Sequence, residues 1–162
     1  MNGSSAGAGP ASGKGQKRKD VTIDISTARQ MLPLVKSIVT DIVTTRERLD
    51  QLGPEQERLE RTRRNLDWQG RDRRYSLKDE MVHAEKELAG AVSELGNLGV
   101  ALVDAESGQV AFPTRINGRP AAFSWQVGED KLTFWHYAGE DLRRPIPQDW
   151  QGAAAVRTRG EP

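Results

Sequence analysis

Arg61, Arg63, Arg64, Arg71, Arg73 and Arg74 crowd around Trp68 and Tyr75. Guanidinium groups fork onto phosphates and carboxylates, and indole or phenol rings stack on bases or bury against a partner, so this segment has the make-up of a contact surface. Glu55, Glu57, Glu60, Asp67 and Asp72 can neutralise much of the cluster through helix-spaced pairs. The residues expected to form an interaction tip are Arg61, Arg64, Trp68, Arg71, Arg73, Arg74 and Tyr75. Docking of a protein and plain solvation are the leading readings of the cluster, with nucleic acid as the lesser alternative.

A second group could move a proton or hold an ion. Phe134-Trp135-His136-Tyr137 lies near Glu129 and Glu140, and Trp125 and Arg144 flank it as candidates for a pocket wall. An imidazole beside carboxylates is the minimum for acid–base or metal chemistry, but a hydrolytic zinc site usually has three protein ligands and the chain has 2 histidines. The expected role of His136 is structural. Glu80 and His83 form an E-x-x-H spacing like that of di-iron bundles, which need the motif twice, and it occurs once. Met81 and Ala84 take the apolar seam there, so Glu80 and His83 read as a solvated face. No catalytic residue, metal ligand or cofactor is assigned.

Composition narrows the classes further. Lys plus Arg number 24 against 23 Asp plus Glu in 162 residues, so there is no global field to favour nucleic acid or an anionic membrane. With no cysteine, thiol nucleophiles and cysteine zinc sites are excluded together. No uncharged run approaches the ~20 residues of a membrane helix, and the expected location is cytoplasmic. Gly13-Lys14 is not a phosphate loop, because Ala8 and Gly15 stand where that motif needs Gly and Ser or Thr.

The elements that would position these residues are readable from periodicity. Residues 1–19, Gly- and Ser-rich and ending in a basic knot, and residues 151–162 read as disordered tails. From Ile25, with Asp24 or Ser26 as the cap, Ala28, Leu32, Val35, Val39, Ile42 and Leu49 recur at helical spacing. Ile25, Met31, Leu34, Ile38 and Val43 widen that stripe in its first half only, which predicts a second neighbour there. Gly53-Pro54 suggests a break, a further helical segment runs to Asp67, and Trp68-Gln69-Gly70-Arg71 reads as the turn of a hairpin. Ser76 then caps a second long helix with Leu77, Met81, Ala84, Leu88, Ala91, Val92, Leu95 and Leu98 inward. Two matching seams on a short connection predict an antiparallel, coiled-coil-like helical hairpin over residues 20–98.

After Gly99 the period changes to two. Val100–Asp104, Gln109–Phe112, Ala121–Val127 and Lys131–Tyr137 read as strands, with Asn117-Gly118 as the strongest hairpin signal. The prediction is a four-stranded antiparallel meander over residues 99–150, packed on the wide apolar half of the hairpin, an α+β fold. If the turn at Gly128-Glu129-Asp130 pairs Val127 with Leu132, Trp125 meets Phe134 and Phe123 meets His136. The taper of the first helix puts the sheet at the base and the arginines at a protruding end.

Ile23-Asp-Ile-Ser-Thr-Ala28, Leu32-Pro33, Leu98-Gly99, Phe112-Pro113, Gly118-Arg119, Trp125, Gly128-Glu129, Trp135-His136 and Arg144-Pro145 form an ordered series that resembles the bacterial family known as domain of unknown function 2203. The resemblance covers roughly residues 23–147 and implies helices plus a small sheet, with no established activity. The chain departs from that pattern at Ala111, where an Asp usually precedes Phe-Pro, and at Ser124, where Cys usually precedes Trp. An acid or metal role for that Asp would be lost here. The leading functional reading is a non-enzymatic interaction or scaffold protein acting through the hairpin, with an unknown protein partner or a second copy of itself. The alternatives are nucleic-acid association through the arginine tip, and a small enzyme or ligand binder at the Trp125, Glu129, Trp135, His136, Glu140 and Arg144 region.

Overall fold

The computed structural model describes residues 22–150 and has the order α1 (Ile25–Arg61), α2 (Trp68–Asn97), β1 (Ala101–Asp104), β2 (Gln109–Ile116), β3 (Arg119–Trp125), β4 (Phe134–Tyr137), β5 (Arg144–Pro145) and a closing 3-10 turn, Gln148–Trp150. The two expected tails lie outside the described residues. The class is α+β: two packed helices and an antiparallel sheet in the order β1-β2-β3-β4-β5. The fifth strand is an addition to the four expected; two residues long, it gives periodicity nothing to act on. No described helix is long and apolar enough to cross a membrane.

Helix α1 begins where its cap dictates. Asp24 is extended and its carboxylate accepts the Thr27 N–H at 2.7 Å, closing one of the orphan donors of the first turn. That bond holds the Asp24 carboxyl below its ordinary value. Pro33 and Pro54 both lie inside the helix, and Gly53-Pro54 is not a break. Each proline forfeits one ladder hydrogen bond, a loss that side-chain packing along the rest of a 37-residue helix outweighs.

The turn of the hairpin lies earlier than expected. Residues 62–67 make the connection, and Trp68 to Arg71 are already the first turn of α2, so Ser76 is an interior residue and not a cap. The cap is Asp67, whose carboxylate accepts the Gly70 N–H at 2.7 Å. A Cβ on Gly70 would lie 3.0 Å from that carboxylate and 3.2 Å from the Leu66 Cβ, so the glycine allows the cap and the incoming chain to close on the helix.

The core sits at the other end. Leu32, Val35, Ile38, Val39 and Ile42 of α1 and Leu95 of α2 pack with Val110, Phe112, Phe123, Trp125 and Trp135 of the sheet. Leu34, expected in the wide stripe, is instead 49% exposed. Beyond Ile42 the fully inward residues of α1 reduce to Leu59, and α2 contributes Leu77 and Ala84. Beyond Val43, which still packs against the core, the helices run on to Arg61 as an arm in which each rests mainly on the other, about 27 Å long at ~1.5 Å per residue.

Strand register follows local chemistry at one end and packing at the other. Asn117 and Gly118 both adopt left-handed conformations (φ 53° and 71°) and join β2 to β3 in the tight turn that the dipeptide favours. Strand β2 continues through Pro113, whose carbonyl accepts the Ile23 N–H at 2.7 Å. That edge faces away from β3, so the missing proline N–H leaves no gap in the β2–β3 ladder. Between β3 and β4 the expected pairing is one residue out: Phe123 faces Trp135, Ser124 faces Phe134 and Ala122 faces His136. The connection is a longer loop that buries Leu132 in the core instead of a tight turn, which puts Trp135 on the helix side with Phe123 and moves His136 to the opposite face.

Candidate functional site

The arginine cluster divides into two sets. Arg73 donates from Nε and its terminal nitrogen to the two Glu55 oxygens at 2.7 and 2.9 Å, and Arg74 forks onto Glu60 in the same way at 2.7 and 3.2 Å. Arg48 reaches Glu80 at 2.5 Å, and Arg73 also approaches Glu80 at 3.7 Å. The result is a ladder of charges across the arm, on either side of Leu59 and Leu77. Arg73 and Arg74, expected as contact residues, thus brace the two helices. Sequence spacing could not show this, because the partners face each other across helices and not along one.

Arg61, Arg64 and Arg71 are exposed and form no ion pair among the described residues. Trp68 and Tyr75 are 67% and 65% exposed. Trp68, Arg71 and Tyr75 are spaced three and four apart on α2 and so share one face, with Arg61 and Arg64 just before it in the chain. From Arg58 to Tyr75 there are seven arginines and three carboxylates, an excess of four positive charges in a chain whose total is +1. The rest of the molecule is accordingly net negative.

The hydrogen bonds from Arg73 and Arg74 hold the Glu55 and Glu60 carboxyls below their ordinary value of 4.5. A carboxyl whose pKa falls on folding contributes stability that is complete above the ordinary value and is lost as pH falls through the folded one. Asp24 and Asp104 at the base are held low in the same way, but there the apolar core remains, so the arm is expected to loosen in acid before the base does. Amide protection factors measured from about pH 6 to about pH 3 should drop first between Arg48 and Glu80. Uniform loss over arm and sheet would contradict the bracing role.

The second expected group divides between the two faces of the sheet. Trp125 and Trp135 are buried on the helix side of the sheet, and Arg144 lies over the Trp135 and Tyr137 rings at 5.2 and 5.3 Å while pairing with Glu140 at 2.9 Å. His136 is buried on the opposite face, its Nδ1 2.9 Å from the Tyr137 carbonyl oxygen. Glu129 joins a different cluster. It pairs with Arg143, which also donates from Nε to the Ser124 hydroxyl at 2.9 Å and lies 4.4 Å from the Phe134 ring centre. Gln109 completes the set by donating to the same hydroxyl at 3.3 Å. Arg143 and Gln109 were not singled out from sequence, and Ser124 stood out only through the family resemblance. The two-residue alternation of β5 decides that Arg144 takes the helix side and Arg143 the other, a distinction that needed the strand to be recognised.

Ala111 and Ser124 face each other across β2 and β3 on that same outer face, beside Arg143. Elsewhere, His83 lies on the outside of the arm and contacts Glu87 at 3.0 Å, whereas Glu80, expected on a solvated face, is half-buried and paired across the helices. Among the described residues, no group of three or more His, Asp or Glu side chains gathers as a metal site.

The family described as uncharacterized conserved protein, DUF2203, matches residues 22–146, and the chain belongs to it. No curated protein and no solved structure matches the chain.

Proposed function

We propose that this protein is a non-enzymatic interaction protein whose helical arm presents its tip to an acidic, partly apolar segment of a partner protein. The observation that carries the reading is the joint exposure of Trp68 and Tyr75 on one face with Arg71, next to Arg61 and Arg64, none of these arginines being ion-paired among the described residues. Exposed aromatics with arginine make the anchor composition of protein interfaces. The local excess of positive charge supplies the complement for an acidic partner. Self-association through the seam has less support, since Leu59, Leu77 and Ala84 are used up between the two helices of one chain.

The test compares a labelled peptide of interspersed Glu and Leu with a labelled single-stranded oligonucleotide, each titrated into the full chain at two salt concentrations. The peptide should bind, weaken with salt, and lose about 30-fold in affinity on Trp68→Ala, the size of an interface anchor. Arg64→Ala with Arg71→Ala should weaken it by about tenfold at unchanged melting temperature. Preference for the oligonucleotide, with Trp68 and Tyr75 required, would replace this reading by nucleic-acid binding. If neither ligand responds to these substitutions, the tip is only a solvated end.

A further inference from the structure

A cleft at the base of the molecule, far along α1 from the arm, is lined by Arg29, Lys131, Leu132, Thr133, Ile146 and Gln148 and encloses about 420 Å³. Its walls come from three parts of the chain. Arg29 stands near the start of α1, next to the fully buried Ala28, Leu132 is anchored in the core, and the Ile146 N–H donates to the Thr133 carbonyl at 2.8 Å, so the segments carrying the polar groups are tied to the fold. The first turn of α1 is already capped by Asp24, so the charge of the cleft comes from its side chains and not from the helix end.

The chemistry of that lining is one-sided. It offers a guanidinium, an ammonium, a hydroxyl and a carboxamide, with no carboxylate among them. Neither Arg29 nor Lys131 has an ion-pair partner among the described residues, in contrast to Arg73, Arg74, Arg143 and Arg144. Two unneutralised cations close together repel each other unless an anion sits between them. Leu132 and Ile146 add apolar surface beside the donors, the mixture by which ligand pockets of this size hold the hydrocarbon part of a small molecule while a few polar groups fix its charged end.

We infer that this cleft binds a small organic anion, a carboxylate or a phosphate monoester with an apolar substituent. Arg29 forks onto the anion, Lys131 adds a point charge, and Thr133 and Gln148 donate to its remaining oxygens. Exposed Asp130 and Asp149 adjoin the lining residues in the chain, and their charge disfavours a long polyanion and leaves a compact ligand as the best fit. The inference is independent of the tip, which lies at the other end of α1.

The experiment is a two-dimensional NMR titration of the full chain with phenyl phosphate, benzoate, inorganic phosphate and, as the neutral control, phenol. Amide shifts are expected at residues 29, 131–133, 146 and 148, with at least one aromatic anion binding tighter than inorganic phosphate. The order of phenyl phosphate and benzoate tells the two headgroups apart. Arg29→Gln and Lys131→Gln should each weaken binding roughly tenfold, the loss expected of one charge-assisted contact. Both side chains reach solvent, and an unchanged amide spectrum outside the cleft shows each variant folded. Thr133→Val, which keeps every charge, should cost a smaller factor. Equal binding of phenol, shifts centred elsewhere, or full affinity in folded Arg29→Gln would overturn the assignment.

Discussion

Gly108→Ala is expected to destabilise the protein by about 2–5 kcal/mol, the sum of a left-handed backbone forced on alanine and overpacking of the core. Gly108 has φ 68° in the turn between β1 and β2, and a Cβ there would lie 2.4 Å from Val127 Cγ2 and 3.1 Å from both Val39 Cγ1 and Val43 Cγ2. Val127 is 40% exposed and can give way, but Val39 is fully buried on α1 and cannot. The turn is also braced from within, because Asp104 accepts from the Ser107 hydroxyl at 2.7 Å and from the Glu106 N–H at 3.2 Å. The control is Gly118→Ala: φ is 71° there, yet nothing lies within 4 Å of the added methyl. It should cost about 1 kcal/mol, the backbone part alone. Urea unfolding of the two variants separates the contributions, and equal losses would mean that the approach of the turn to α1 is unimportant.

Glu129→Ala should cost nearly as much, about 2–4 kcal/mol, because it strands the guanidinium of Arg143. The pair is mostly shielded, with side-chain exposures of 19% for Arg143 and 16% for Glu129, so the penalty is set slightly below that for breaking a fully buried ion pair. Glu129 also accepts the Gln126 N–H at 3.1 Å, and its other carboxylate oxygen is buried without a partner. Removal therefore loosens the β3–β4 loop and its hold on the segment before β5 together. Glu129→Gln, which keeps an acceptor for both donors, should cost distinctly less. A double-mutant cycle with Arg143→Met, read by urea unfolding, should give a coupling of about 1–3 kcal/mol. Independent losses would show that the two side chains act separately and that the outer face of the sheet is not organised by this pair.

Local chemistry was legible from residue order. Asp24 starts α1 because a carboxylate at that position satisfies the Thr27 N–H whatever lies beyond it. Asn117-Gly118 turns the chain because those two residues tolerate positive φ. The taper of apolar residues after Val43 showed which end of the hairpin would meet the sheet, since burial follows the supply of apolar side chains. The tip could be located for the same reason: its Arg, Trp and Tyr residues are contiguous in the chain.

Tertiary structure decided what depends on a partner elsewhere. Whether an arginine is paired turned on cross-helix geometry, which assigned Arg73 and Arg74 to Glu55 and Glu60 and gave Arg61, Arg64 and Arg71 no ion pair among the described residues. The start of α2 turned on Asp67 and the close approach of Leu66 to Gly70, where Ser76 offered an equally good local cap. Register between β3 and β4 turned on the burial of Leu132, and one residue of slip transferred His136 from one face to the other. The base cleft draws on Arg29, Lys131 and Gln148, residues remote in the chain that only the packing of α1 against the sheet brings together. Sequence specifies short-range preferences strongly because their energies are local, whereas a face, a pairing or a cleft exists only once distant segments have excluded water between them.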